Sequence, residues 1–486
     1  MLFNSFTFLL FFPFVFIVYL IIPKKFRNIW ILTTSYFFYM SYNPKYVILL
    51  FLSTISTYFA GLFIGISGGE WDKKKRLILV SVVSLNLAIL CVFKYNKFLL
   101  HSINIIQNWI GVKETDVIFH LMLPVGISFY TFQVIGYLLD VYRGEITAER
   151  NFIDYAMFVS FFPQLVAGPI ERSKNLLHQI KNTQKINPIN KENVRIGVIY
   201  IIWGYFLKLV IADRIAIYVN AVYDNYTCYG LLEILIAVIL FAFQIYGDFH
   251  GYTMIAKGCA LLLGFDLMDN FEQPYFALNV RDFWKRWHIS LTTWFTDYIY
   301  IPLGGNRKGK TRKYFNILIV FFLSGLWHGA GWNYIIWGLL NGIYMVISYV
   351  KLDFLKEKEI ECKGYWIDWG RRVITFMLIC STWLFFSAGS VSKAVDLIKQ
   401  CFVKLYGSHI YDVGLGGSNF TILIISFTIL FVVEYMKERK KDVLQLVADR
   451  TSLLHIIFYV IAIWYIIMFG VYGVGYNVNE FIYFRF

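Results

Sequence analysis

The chain has 486 residues, 58% of them hydrophobic and 16% charged, with a mean hydropathy of +0.59. That balance excludes a water-soluble globular fold and makes lipid the solvent. A net charge of +14 would suggest nucleic acid in a soluble protein. Here the basic residues cluster between apolar runs, where the cytoplasmic loops of a membrane protein carry them, and no nucleic-acid-binding motif accompanies them.

Met1 to Asn4 carry no basic residue before the first apolar run, and no small-residue cleavage pattern follows it, so the run reads as a retained span, not a signal peptide. A membrane-crossing helix needs roughly 20 apolar residues, and several runs approach that length without a charge near the middle. About eleven spans are expected. The better candidates are 6–22, 29–41, 46–66, 77–93, 198–217, 231–246, 373–386, 420–433 and 454–469. No Pro/Gly/Ser-rich linker separates them, and residues 1–486 read as a single integral-membrane domain, all-α and polytopic.

Charge orients the spans. Lys24, Lys25 and Arg27 follow the first run and Lys73, Lys74, Lys75 and Arg76 the third, so alternation puts both clusters on one side, the cytoplasm. The loop with Arg307, Lys308, Lys310, Arg312 and Lys313, the segment 351–363 and the stretch 437–441 carry the same kind of charge. Both termini, Phe486 included, are then expected to face outward.

Residues 314–349 are apolar but have cytoplasmic-type charge at both ends, so they must enter the membrane and turn back. The turn is expected at Trp327-His328-Gly329-Ala330-Gly331, where two glycines permit conformations a continuous helix does not use. If 314–326 is helical, it rises about 20 Å, and His328 lies deep in the hydrocarbon. An ionisable group there costs several kcal/mol unless it faces a cavity or a partner. A histidine bridging two helices is the plain explanation; a general base is the functional one, because burial favours the neutral imidazole.

Arg281-Asp282-Phe283-Trp284-Lys285-Arg286-Trp287-His288-Ile289-Ser290 mixes charge with large aromatics, as interfacial anchors do. Anchoring does not account for His288. Gly304 to Thr311 fits the GxxxxGK[ST] pattern of a phosphate-binding loop, but no strand or soluble α/β sheet surrounds it, and a basic loop describes it better. The remaining histidines, His101, His120, His178, His250, His409 and His455, show no metal-ligand spacing, and Asp248 and His250, two residues apart, face away from each other on a helix. The six cysteines, Cys91, Cys228, Cys259, Cys362, Cys380 and Cys401, are scattered, which indicates neither a disulfide framework nor a zinc site.

Phe283-Trp284-Lys285-Arg286-Trp287-His288-Ile289-Ser290-Leu291, then Tyr300-Ile301-Pro302-Leu303-Gly304-Gly305-Asn306, then Leu326-Trp327-His328-Gly329 resemble the membrane-bound O-acyltransferase family. Pro124-Val125-Gly126-Ile127-Ser128-Phe129-Tyr130-Thr131-Phe132, the run from Phe162 to Ile170, Asp248-Phe249-His250-Gly251-Tyr252 and the terminal Phe481-Ile482-Tyr483-Phe484-Arg485-Phe486 echo its bacterial branch that includes alginate O-acetylases. His250 departs from the small residue expected there. The resemblance implies that His328 is the catalytic histidine and His288 the second polar position. It also implies a ring of helices around a thinned core with a central tunnel, the donor and acceptor approaching from opposite sides.

The expected activity is transfer of an acyl group, acetyl by preference, from a cytoplasmic thioester to a hydroxyl of an extracytoplasmic polysaccharide, directly or through a separate extracytoplasmic acyltransferase- or esterase-like protein. The donor is acetyl-CoA or an acylated carrier protein, and no permanently bound cofactor or metal is expected. Lys285, Arg286, Arg307, Lys308 and Lys310 are candidates to hold its anionic part, although basic loops also serve simply to set topology. Two other classes fit the residues: a proton-coupled transporter or flippase for a lipid-linked glycan, which internal repeats would favour, and a membrane scaffold, in which both histidines affect stability alone.

Overall fold

A chain in hydrocarbon must close its own backbone hydrogen bonds, and helices do so locally. The computed structural model is accordingly helical, with no strand among the described residues, which are 1–66, 72–113, 122–166, 168–185, 190–357, 364–405, 413–449, 453–472 and 481–482. The expected all-α, polytopic fold is the one observed. Within those residues six helices are long and apolar enough to cross a bilayer, and Phe6–Ile21 and Ile456–Phe469 are shorter apolar helices. His120, His409, Cys362, Tyr483 and the last residues to Phe486 lie outside the described residues, as does part of the basic segment 351–363. The chain divides into two compact units, residues 1–194 with 259–268, and residues 195–258 with 269–486.

The first unit holds α1 (Phe6–Ile21), α2 (Arg27–Met40), α3 (Val47–Ile64), α4 (Asp72–Trp109), α5 (Ile127–Tyr142) and α6 (Phe152–Ser160). The Ser5 hydroxyl starts α1 by accepting the Phe8 N–H at 3.2 Å. Phe6, Leu10 and Phe14 then face outward, while Phe8, Phe12 and Val15 are buried. Polar side chains inside the unit answer one another. Ser53 donates to Asn86 at 2.6 Å, Tyr155 to Thr57 at 2.7 Å, and Gln133 and Gln164 exchange bonds of 3.2 and 2.9 Å. Gly126, at φ +74°, opens α5 in the left-handed region, and a Cβ there would lie 2.5 Å from the Leu165 carbonyl.

In the second unit, α7 (Lys191–Asp224, its first residues in the other unit) contains a π-helical turn at Phe206–Ala212 and packs on α8 (Leu231–Leu262). The two helices meet backbone to backbone: a Cβ on Gly204 would fall 2.6 Å from the Gly251 carbonyl, and one on Gly258 2.5 Å from that of Gly197. The run 198–217, expected as an apolar span, carries Lys208 at its centre. The structure shows how that charge is tolerated: Lys208, 1% exposed, has its Nζ 2.9 Å from Asp213 Oδ1 and 2.7 Å from Asp248 Oδ1. Asp248 Oδ2 accepts the Ile482 N–H at 2.6 Å.

There follow α9 (Val280–Arg286), α10 (Ile289–Phe295), α11 (Lys310–His328), α12 (Trp332–Glu357), α13 (Tyr365–Ser387), α14 (Val391–Val403), α15 (Gly417–Glu438), α16 (Val443–Asp449) and α17 (Leu453–Phe469). Helices α11 and α12 form a hairpin whose turn falls at the expected glycines. The reason differs from the expected one. Gly329 has φ −165°, which any residue adopts, but a Cβ there would lie 2.2 Å from the Tyr334 ring. Glycine supplies room, not an unusual dihedral. The legs are equally close, since a Cβ on Gly325 would meet the Tyr334 carbonyl at 2.4 Å and one on Gly338 that of Phe321 at 2.3 Å.

Candidate active site

His328 is the last residue of α11, at the tip of the hairpin, and is 3% exposed. Its Nδ1 lies 2.7 Å from the Ser324 carbonyl oxygen one turn back. A carbonyl only accepts, so Nδ1 carries the hydrogen, and in the neutral ring Nε2 holds the lone pair. Trp337 (4.7 Å between ring centres), Trp327 (5.0 Å) and Phe386 (5.6 Å) pack around the imidazole and fix its orientation.

His288 arrives from a different element. The Asn279 side chain caps α9 by accepting the Asp282 N–H at 3.0 Å, and α9 ends at Arg286, where the chain pairs with an earlier loop: the Glu272 N–H donates to the Arg286 carbonyl at 3.0 Å and the Ile289 N–H to that of Asn270 at 2.9 Å. Between these bonds His288 sits at φ +46°, ψ +53°, a left-handed conformation that costs about 1–3 kcal/mol in most side-chain-bearing residues and is less rare for histidine. The Asn270 Oδ1 holds the turn by accepting both the Ser290 N–H at 3.3 Å and its hydroxyl at 2.6 Å. The His288 ring, 1% exposed, stands 4.7 Å from Phe249 and 5.9 Å from Trp327.

The two imidazoles share a cavity of ≈ 290 Å³. Arg281 and Lys285 lie one turn apart on α9 and line the same cavity as His288, which the left-handed turn after that helix delivers. Tyr349 lines it too, with the Arg281 guanidinium 4.9 Å and the Lys313 Nζ 3.8 Å from its ring centre. The cavity lining thus combines two imidazoles with the positive charge of Arg281 and Lys285. The interior is aromatic and aliphatic, with Trp284 and Phe321 5.1 Å apart.

Of the sequence-predicted donor contacts, only Lys285 lines this cavity. Arg286 turns away, its Nε 3.0 Å from Asp282 Oδ1 and its Nη1 2.6 Å from Glu438 Oε2. Arg307, Lys308 and Lys310 lie exposed at and before the start of α11, and the GxxxxGK[ST] stretch follows a π-helical turn, Thr296–Tyr300, where a phosphate-binding loop has a strand. His250 is buried elsewhere, stacked on Tyr246 at 5.1 Å, and as expected it does not meet Asp248. From the sequence Arg281 reads as an interfacial anchor; its place four residues before Lys285, one helical turn, is the available signal. Asn270 gave none, because its partners are twenty residues away.

Residues 145–388 match the family model described as MBOAT, membrane-bound O-acyltransferase family. The chain is 35% identical to the probable alginate O-acetylase of Pseudomonas syringae pv. tomato over 456 residues, which cover 91% of this chain and 84% of that one. It is 35% identical to the peptidoglycan O-acetyltransferase of Helicobacter pylori, over 90% of this chain and 86% of that one. The teichoic acid D-alanyltransferase of Bacillus subtilis is 28% identical over 55% of this chain and 69% of its own.

Proposed function

This chain belongs to the membrane-bound O-acyltransferase family, and on that premise we propose that it moves an acetyl group from a cytoplasmic thioester to a hydroxyl of an extracytoplasmic polysaccharide, using His328 as the base. It is a multi-pass membrane enzyme; we place it in the bacterial cytoplasmic membrane with both termini outward. The relatives' names, which specify alginate, peptidoglycan and teichoic acid, support a polymer acceptor. A separate extracytoplasmic protein can carry the group over the last step.

His328 Nε2 takes the proton of the acceptor hydroxyl as its oxygen attacks the thioester carbonyl. The C–O bond forms, the C–S bond breaks, and the departing sulfur receives the proton from the same imidazole. His288 donates to the oxygen that becomes negative in between. The rings, 6.4 Å apart between centres, do not hydrogen-bond each other at that separation, which leaves room for the reacting carbon. The acidic part of the donor, a coenzyme A phosphate or a carrier-linked phosphate, lies toward Arg281 and Lys285, and exposed Arg307, Lys308 and Lys310 attract it from solution.

The observation that carries this reading is a ring 3% exposed that nevertheless lines a cavity, with its Nδ1 committed to a backbone carbonyl. The test uses the full chain in sealed vesicles, with labelled acetyl thioester on one side and acceptor glycan on the other. Label is expected in an ester on the acceptor. Movement of glycan with no acyl loss from the donor would instead indicate a transporter.

A further inference from the structure

A second cavity, of ≈ 380 Å³, lies between α8, α13 and α15 and does not include either catalytic histidine. Rings form its walls. Phe243 of α8 stands 4.9 Å from Phe427 of α15 and 5.6 Å from Phe376 of α13, and Tyr275 lies 5.2 Å from Phe376. Its rim opens on the outer apolar face of the protein: Val373 and Phe431 line the cavity and are 58% and 51% exposed. They continue the exposed apolar stripes of α13, with Ile374 and Met377, and of α15, with Ile424 and Val432. In a multi-pass membrane protein such a face meets bilayer hydrocarbon, so a lipid chain has direct lateral access. A helix, about 10–12 Å across with its side chains, does not fit a space of this volume.

One cation, Arg372, lines the cavity. The Arg372 side chain, 19% exposed, stacks its guanidinium 5.0 Å from the Trp369 ring and donates from Nε to the Phe276 carbonyl at 3.1 Å. Its ion-pair partner Glu438 is 3.8 Å away and is held more tightly by Arg286, at 2.6 Å. Much of the Arg372 charge therefore remains available to a phosphate, which the planar guanidinium suits. The acid that lines the cavity, Glu434, is hydrogen-bonded to Tyr246 and so has a protein partner.

We infer that this cavity holds one acyl chain of an anionic phospholipid, with the lipid phosphate on Arg372. The site is independent of the acyl-transfer chemistry. The test takes the full chain in detergent, strips it of lipid, adds phosphatidylglycerol or phosphatidylcholine, and weighs the intact complexes by native mass spectrometry. One phosphatidylglycerol is expected to be retained about tenfold more tightly than phosphatidylcholine, whose phosphate charge is offset by its own quaternary ammonium beside the Arg372 cation. Arg372→Gln removes that preference, and Leu430→Trp, which fills the cavity, removes retention. Arg372→Gln changes only a partly exposed side chain and keeps the test decisive where Leu430→Trp does not fold. Equal retention of the two lipids, a preference that survives Arg372→Gln, or unchanged retention by folded Leu430→Trp overturns the inference.

Discussion

The imidazole of His288 stands 6.4 Å from that of His328 between ring centres, with the planes at 86°. The two rings come from unlike settings, one from a left-handed turn and one from a helix end, and converge on one cavity. Their roles separate by substitution. Glycine adopts the left-handed region and has no side-chain donor, so His288→Gly is expected to keep the turn and lower kcat about 10²–10³-fold, the cost of losing an oxyanion donor. His288→Ala adds backbone strain and lowers yield as well. Unchanged kcat in folded His288→Gly would remove His288 from the mechanism.

The adjacent cations are expected to behave differently. Lys285 lines the cavity, whereas Arg286 is engaged with Asp282 and Glu438. Lys285→Gln should raise KM for the donor about threefold to tenfold with kcat nearly unchanged, the effect of one lost charged contact. Arg286→Gln should lower the melting temperature and leave donor KM alone. The reverse pattern would put the donor's anionic end elsewhere.

Hairpin packing gives a prediction free of charge effects. A Cβ on Gly325 would approach the Tyr334 carbonyl to 2.4 Å, and backbone cannot rotate aside. Gly325→Ala is expected to cost about 1–3 kcal/mol of stability and to displace His328, three residues on. Thermal unfolding in detergent, read beside activity, checks both effects.

The buried triad gives a fourth. Lys208 lies between Asp213 and Asp248, and Lys208→Met leaves two carboxylates facing each other without a cation. A loss of about 3–5 kcal/mol is expected. Adding Asp248→Asn should recover part of it in the same unfolding assay; a stable Lys208→Met single variant would show that the triad does not hold the fold.

Much of this was legible in the sequence because lipid imposes coarse rules. Apolar length located the helices, and charge at both ends of 314–349 required a hairpin with His328 at its turn. The remainder depended on distance in the chain. The run 198–217 reads as an apolar span although Lys208 lies at its centre, and the second carboxylate that pairs this lysine, Asp248, sits forty residues away on another helix. Arg286 read as a donor contact because Glu438, its partner, comes from α15. The left-handed turn at His288 is held by Asn270, and no local pattern announces a residue that acts through a loop eighteen positions earlier.

Acyl transfer by folded His328→Ala, reconstituted in vesicles with a labelled thioester donor, tests the central claim most directly. A fall of about 10²–10⁴-fold in rate, the contribution of a positioned base, is predicted with donor binding retained. Transfer at the unsubstituted rate would contradict the account.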